Sequence, residues 1–75
     1  MNIQDFINDF AAEFDETPME IFTPETEYKT LDEWNSLTAL SVIAMVGDNY
    51  NKTITGADLR SNKTILDLFN YVASL

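Results

Sequence analysis

The chain predicts an all-α protein, a small four-helix bundle of three main helices and one short helix, with a long first loop. Three observations carry this. Apolar residues near the start recur at helical spacing. Capping residues stand ahead of three later segments. Only 2 Gly and 2 Pro interrupt 75 residues, 45% of them hydrophobic. Against a prior of about 150 residues per domain, this length accommodates a single domain, residues 1–75. Its core must be thin, because a domain this size buries only about 60% of its unfolded surface and gains roughly 3–5 kcal/mol.

The first helix rests on Ile3, Phe6, Ile7, Phe10, Ala11 and Phe14, which form one stripe, with Gln4, Asp5, Asn8, Asp9 and Glu13 opposite. Asn2 suits the N-cap, and Asp5 falls in the first turn, where the helix dipole favours an acid. From Asp15 to Glu33 the pattern dissolves. Pro18 and Pro24 break helices, four threonines suit turns and the acids repel one another. A loop this long in a compact domain is either functional or tied down. Ile21, Phe22, Tyr28, Leu31 and Trp34 are the expected ties.

The second helix opens after Trp34-Asn35-Ser36, capped by either Asn35 or Ser36, and runs to about Tyr50. Its apolar residues, Leu37, Leu40, Val42, Ile43, Ala44, Met45 and Val46, go most of the way round. Either part of this surface is exposed, or Ala39, Ala44 and Met45 edge a wide core stripe. Asn49, Asn51, Thr53 and Gly56 mark a break. Thr55 and Asp58 resemble a capping box for a short helix through Leu59, closed by Ser61-Asn62-Lys63. Thr64 with Asp67 opens the last helix, which carries Ile65, Leu68, Phe69 and Val72 on one face.

Composition excludes several functions. With no Cys there is neither a disulfide nor a thiol nucleophile, and with no His the commonest general base and metal ligand are missing. No apolar run is long enough for a membrane span, and Met1-Asn2-Ile3-Gln4-Asp5 lacks the basic start of a signal peptide, so a soluble, cytoplasmic protein is expected. The net charge of −9 opposes binding to nucleic acid or anionic membrane and favours basic partners. All of it lies in residues 1–36, where ten acids face Lys29 alone; beyond them Asp48, Asp58 and Asp67 balance Lys52, Arg60 and Lys63.

Acids in a polar loop form a solvated face, and catalysis by a carboxylate pair needs a rigid cleft that so small a chain has little material to build. Residues Gly47 to Leu59 imitate a calcium loop, with Asn49, Asn51, Thr53, Ile54 and Asp58 at the third, fifth, seventh, eighth and twelfth places. Gly47 at the first place and Lys52 at the sixth spoil it, since the loop needs an acid and a glycine there. Ser36 is more informative. A hydroxyl at the mouth of a helix is either a simple cap, the commoner fate, or a site for a phosphate ester; with no imidazole nearby to activate it, such an ester would have to be installed by another enzyme.

Over nearly its whole length the chain resembles the acyl carrier proteins. The family carries Asp-Ser-Leu at the start of its second helix, and Asn35-Ser36-Leu37 occupies that place. Leu31-Asp32-Glu33-Trp34-Asn35-Ser36-Leu37-Thr38-Ala39-Leu40 looks like the Trp-Asp-Ser-Leu form of free-standing bacterial carriers. The acidic first loop, Tyr50, Ile54 and Thr64-Ile65 also fall where the family places them. The resemblance implies a fold like that of the family and a 4'-phosphopantetheine arm on Ser36, taken from coenzyme A, whose thiol holds acyl groups as thioesters. It implies no enzymatic activity, since such a protein contributes a tether that raises the local concentration of its cargo. The implied partners are a phosphopantetheinyl transferase and the acyl-loading, acyl-transfer or synthase enzymes of fatty-acid, polyketide or related lipid assembly, met by a monomer. Asn35, Leu37, Leu40, Ala44, Met45 and Asp48 are the implied partner contacts, with Leu40, Ala44 and Met45 also able to line a cleft for the acyl chain.

Three departures from the family qualify these expectations. Asn35 replaces the aspartate, keeping the cap but losing a charge, which should slow recognition by the transferase. Thr38, Ser41 and Gly47 stand where the family often has acids, leaving Asp48 alone, and the charge has moved to the first helix and loop. Docking should therefore lean more on the apolar face of the second helix than on ion pairs. A carrier of aminoacyl or peptidyl groups with the same fold, or a helical interaction module that is never modified, are the alternatives.

Overall fold

Asn2 begins the first helix as expected: its side-chain oxygen accepts from the N–H groups of Gln4 and Asp5 at 2.8 and 3.2 Å, which would otherwise lack partners. A computed structural model describes residues 1–75 and shows four helices with no strand. They are α1 (Ile3–Ala11), α2 (Ser36–Tyr50), α3 (Gly56–Ser61) and α4 (Ile65–Ser74). α1 packs against α2 and α4, and α2 also against α3. The radius of gyration, 10.9 Å, matches the roughly 11 Å that a single close-packed domain of this length takes.

The stripe of α1 is buried through Phe6, Ile7, Phe10 and Ala11. The helix stops at Ala11, so Phe14 reaches the core from a tight turn in which its N–H donates to the Ala11 carbonyl. Phe10 is the hub of an aromatic cluster, with ring centres 5.5 Å from Phe14, 5.6 Å from Tyr28 and 6.2 Å from Phe22. Most of these rings come from the loop, so the loop is part of the core.

The segment between α1 and α2 is more ordered than its composition suggests. It contains two single 3-10 turns, Met19–Ile21 and Tyr28–Thr30. Phe22 and Tyr28 are buried, and Leu31 and Trp34 pack against the core, as expected of ties. Ile21 is not one. It stands exposed, because the turn that carries it aims the adjacent Phe22 inward and leaves Ile21 facing out. The Tyr28 hydroxyl donates to the carbonyls of Leu59 and Asn62 at 2.6 and 3.0 Å, satisfying groups at the end of α3. The N–H groups of Ile65 and Leu66 donate to the Thr26 and Pro24 carbonyls, so the loop also caps α4.

A further tie comes from Glu33. Its carboxylate accepts from the N–H groups of Asp15 and Glu16 at 3.0 and 2.9 Å, and from both the N–H and the hydroxyl of Thr17. One acid thus fastens the start of the loop to its end. The Thr17 hydroxyl first, and the three N–H groups after it, hold the Glu33 carboxyl below the usual carboxylate range against opposing desolvation.

The capping boxes at Thr55–Asp58 and Thr64–Asp67 are both formed. α2 ends at Asn51, whose left-handed backbone (φ 55°) suits asparagine and lets its N–H donate to the Gly47 carbonyl. Residues Gly47 to Tyr50 belong to α2, so the window that imitates a calcium loop begins with a turn of helix. No helix is long and apolar enough to cross a membrane.

Candidate functional site

The site is built where the loop meets α2. Asn35 is the N-cap: its side-chain oxygen accepts from the N–H groups of Leu37 and Thr38 at 2.8 and 3.0 Å. The Thr38 hydroxyl donates back to the Glu33 carbonyl at 2.6 Å, locking the turn. These bonds settle which residue caps. Ser36 is the first helical residue, exposed, and its hydroxyl makes no hydrogen bond within the chain. A side chain free of capping duty and open to solvent is accessible to another enzyme.

Ser36 opens onto a groove of about 270 Å³ between the loop, the first turn of α2, and α3. Trp34, Ala39 and Leu59 supply its apolar lining, and Lys29 and Arg60 supply its charge. The two cations are joined, because the Lys29 ammonium donates to the Arg60 carbonyl at 2.5 Å. The single ion pair in the protein, Lys63 with Glu27 at 4.0 Å, uses neither. In a chain of net charge −9 the groove onto which Ser36 opens is thus lined by cations and no acid.

Four of the expected contact residues share one outward face of α2. Leu37, Leu40, Ala44 and Asp48 follow one another at steps of three and four, and all are exposed, Leu37 by 74% and Leu40 by 61%. Leucines so open on a small domain form an unpartnered apolar stripe with Ser36 at its head. Met45 does not belong to it. It is 4% exposed and sits in the core with Val42 and Val46, because it lies on the side of α2 that is packed into the bundle; as a surface contact it is corrected, and only a role from inside remains for it. Ala39 packs against the core as well, whereas Ala44 does not, so the two outcomes expected for α2 divide between its faces.

The sequence reading missed Lys29, Arg60 and Gly56 as neighbours of Ser36. They lie 7, 24 and 20 residues away, and no local spacing signals that they converge. No three acids come together in a way that could hold a metal ion. No protein-family model matches the chain, and neither a curated protein nor a solved structure matches it.

Proposed function

We propose that the chain is a carrier protein rather than an enzyme. Ser36 anchors a 4'-phosphopantetheine arm, and acyl intermediates held on it as thioesters reach the enzymes of fatty-acid, polyketide or related lipid assembly. The observation that carries this reading is the state of Ser36: first residue of α2, exposed, and relieved of capping by Asn35. The resemblance of Asn35-Ser36-Leu37 and its surroundings to the carrier signature supplies the chemistry.

The residues at hand fit such a group. The Ser36 oxygen would attack the phosphorus of coenzyme A that bears the pantetheine; adenosine bisphosphate would leave, and the hydroxyl proton would pass to a base of the transferase, since no carboxylate or imidazole of this chain lines the groove at Ser36. Bound, the arm supplies a thiol at the end of a flexible tether. The bundle holds the anchor still, and the Leu37–Leu40–Ala44 stripe offers partners an apolar surface beside it. In this reading the protein works in the cytoplasm as a monomer.

The test is to incubate the purified chain with coenzyme A and a broad-specificity phosphopantetheinyl transferase and to weigh it. One phosphopantetheine increment is expected in the native protein and none in Ser36→Ala. No increment in the native protein, or one that survives the substitution, rejects the reading; stable binding of a partner by the unmodified chain would then favour an interaction module.

A further inference from the structure

We infer that Lys29 and Arg60 form a cationic clamp for the phosphodiester of a group on Ser36, folding the first part of that group along Trp34, Ala39 and Leu59. The inference rests on the carrier reading and adds to it a bound position for the arm, held by the bundle itself.

Charge is the first argument. The chain has 4 basic residues against 13 acids, and two of the four, Lys29 and Arg60, line the one groove onto which Ser36 opens. Thirteen carboxylates are available, yet neither cation is paired with one. A phosphodiester keeps its negative charge throughout the physiological range, so the arm would supply the anion that the groove lacks.

Positioning is the second. The Lys29 ammonium is already fastened to the Arg60 carbonyl at 2.5 Å and lies 5.9 Å from the centre of the Tyr28 ring, which is itself anchored by its hydroxyl to Leu59 and Asn62. Much of the entropy of placing a long cationic side chain is therefore spent before the ligand arrives. Gly56 leaves room beside Arg60. Its φ is not positive, so the lack of a side chain matters here for space. A Cβ at position 56 would stand 3.2 Å from Nη1 of Arg60, so the guanidinium would have to give by a few tenths of an ångström. The apolar lining is the third argument, since beyond its phosphate the arm begins with a quaternary carbon bearing two methyl groups, and Trp34, Ala39 and Leu59 give these somewhere to lie.

Trp34 is the only tryptophan in the chain, so its fluorescence reports on the groove directly. The experiment loads the native chain, Lys29→Gln/Arg60→Gln and, as a control cation outside the groove, Lys52→Gln, using coenzyme A and the transferase. Mass gives the loading, and acrylamide quenching of Trp34 is compared before and after. Loading should protect Trp34 in the native chain and in Lys52→Gln, and the protection should weaken with added salt. In the double variant it should be lost, each cation changing the population of the folded arm by about two- to five-fold, the range of exposed ion pairs. Arg60→Lys, which keeps the charge and the fold, should retain part of it. Equal protection in the double variant, or none in a fully loaded native chain, overturns the clamp while the carrier reading stands; failure of the native chain to gain mass overturns both.

Discussion

In α1 the apolar residues form one stripe, and Phe6, Ile7, Phe10 and Ala11 are all buried; in α2 they run round the helix, and only Val42, Met45 and Val46 are. The difference follows from what each helix has to touch. α1 lies between α2, α4 and the aromatic loop and needs one apolar face. α2 has the core on one side and no part of the chain over Leu37 and Leu40 on the other. An apolar residue thus serves the core in the first helix, whereas along one face of the second it is left open to solvent. Ser36 stands at the head of the uncovered stripe, and no α1 residue lines the groove onto which it opens.

The largest effect that could break this comparison is predicted for Phe10→Ala. Phe10 is fully buried at the hub of the aromatic cluster, and such truncations cost about 3–5 kcal/mol. That is comparable to the whole stability of a domain this small. Urea or thermal unfolding should show the variant largely unfolded at room temperature; a loss no greater than that of a surface substitution would mean that α1 is not the scaffold.

A smaller effect, confined in pH, is expected from Glu33→Gln. The folded-state pKa of Glu33 lies below its ordinary value, so Glu33 stabilises the fold above the ordinary carboxylate range and ceases to do so as pH falls through the lowered value. Asp58 and Asp67 behave alike, each held down chiefly by an N–H of its own capping box. Unfolding midpoints measured from pH 7 downward should fall in the native chain. Glu33→Gln should start lower at pH 7, since an amide NH₂ would face N–H donors, and fall less steeply with acid. Parallel curves would show that Glu33 does not tie the loop.

The smallest effect on stability sharpens the comparison most. Leu37→Ser should change the unfolding free energy by no more than about 0.5 kcal/mol, as for surface positions without special contacts. Yet it should lower kcat/KM for loading by the transferase, and the native reaction should depend only weakly on salt if docking is apolar. A destabilised variant, or one loaded at the native rate, would remove the distinction between the two faces.

Much of this architecture was legible because its signals are local. Thr55 with Asp58, Thr64 with Asp67, and Asn2 ahead of Ile3 each close their bonds within three residues, so their spacing carries the whole geometry. The stripe of α1 was equally plain, except that the helix ends before Phe14. The ambiguity of α2 was inherent, since a helix apolar all round does not say which side meets the core. Ala44 and Met45 are neighbours, and their opposite fates depend on which side of α2 the rest of the bundle covers.

From composition and short-range spacing alone came the helix count, the caps of α1, α3 and α4, and the exclusion of imidazole and thiol chemistry; spacing left Ser36 as one of two possible caps of α2, and only the resemblance singled it out. Packing was needed to turn Ile21 outward and Phe22 inward, to bring Glu33 back onto Asp15, Glu16 and Thr17, and to gather Lys29, Gly56 and Arg60 beside the Ser36 hydroxyl. The physical reason is range. A cap or a stripe repeats within one or two turns of helix, whereas a groove is a meeting of segments far apart in the chain, and their meeting is set by which surfaces bury one another.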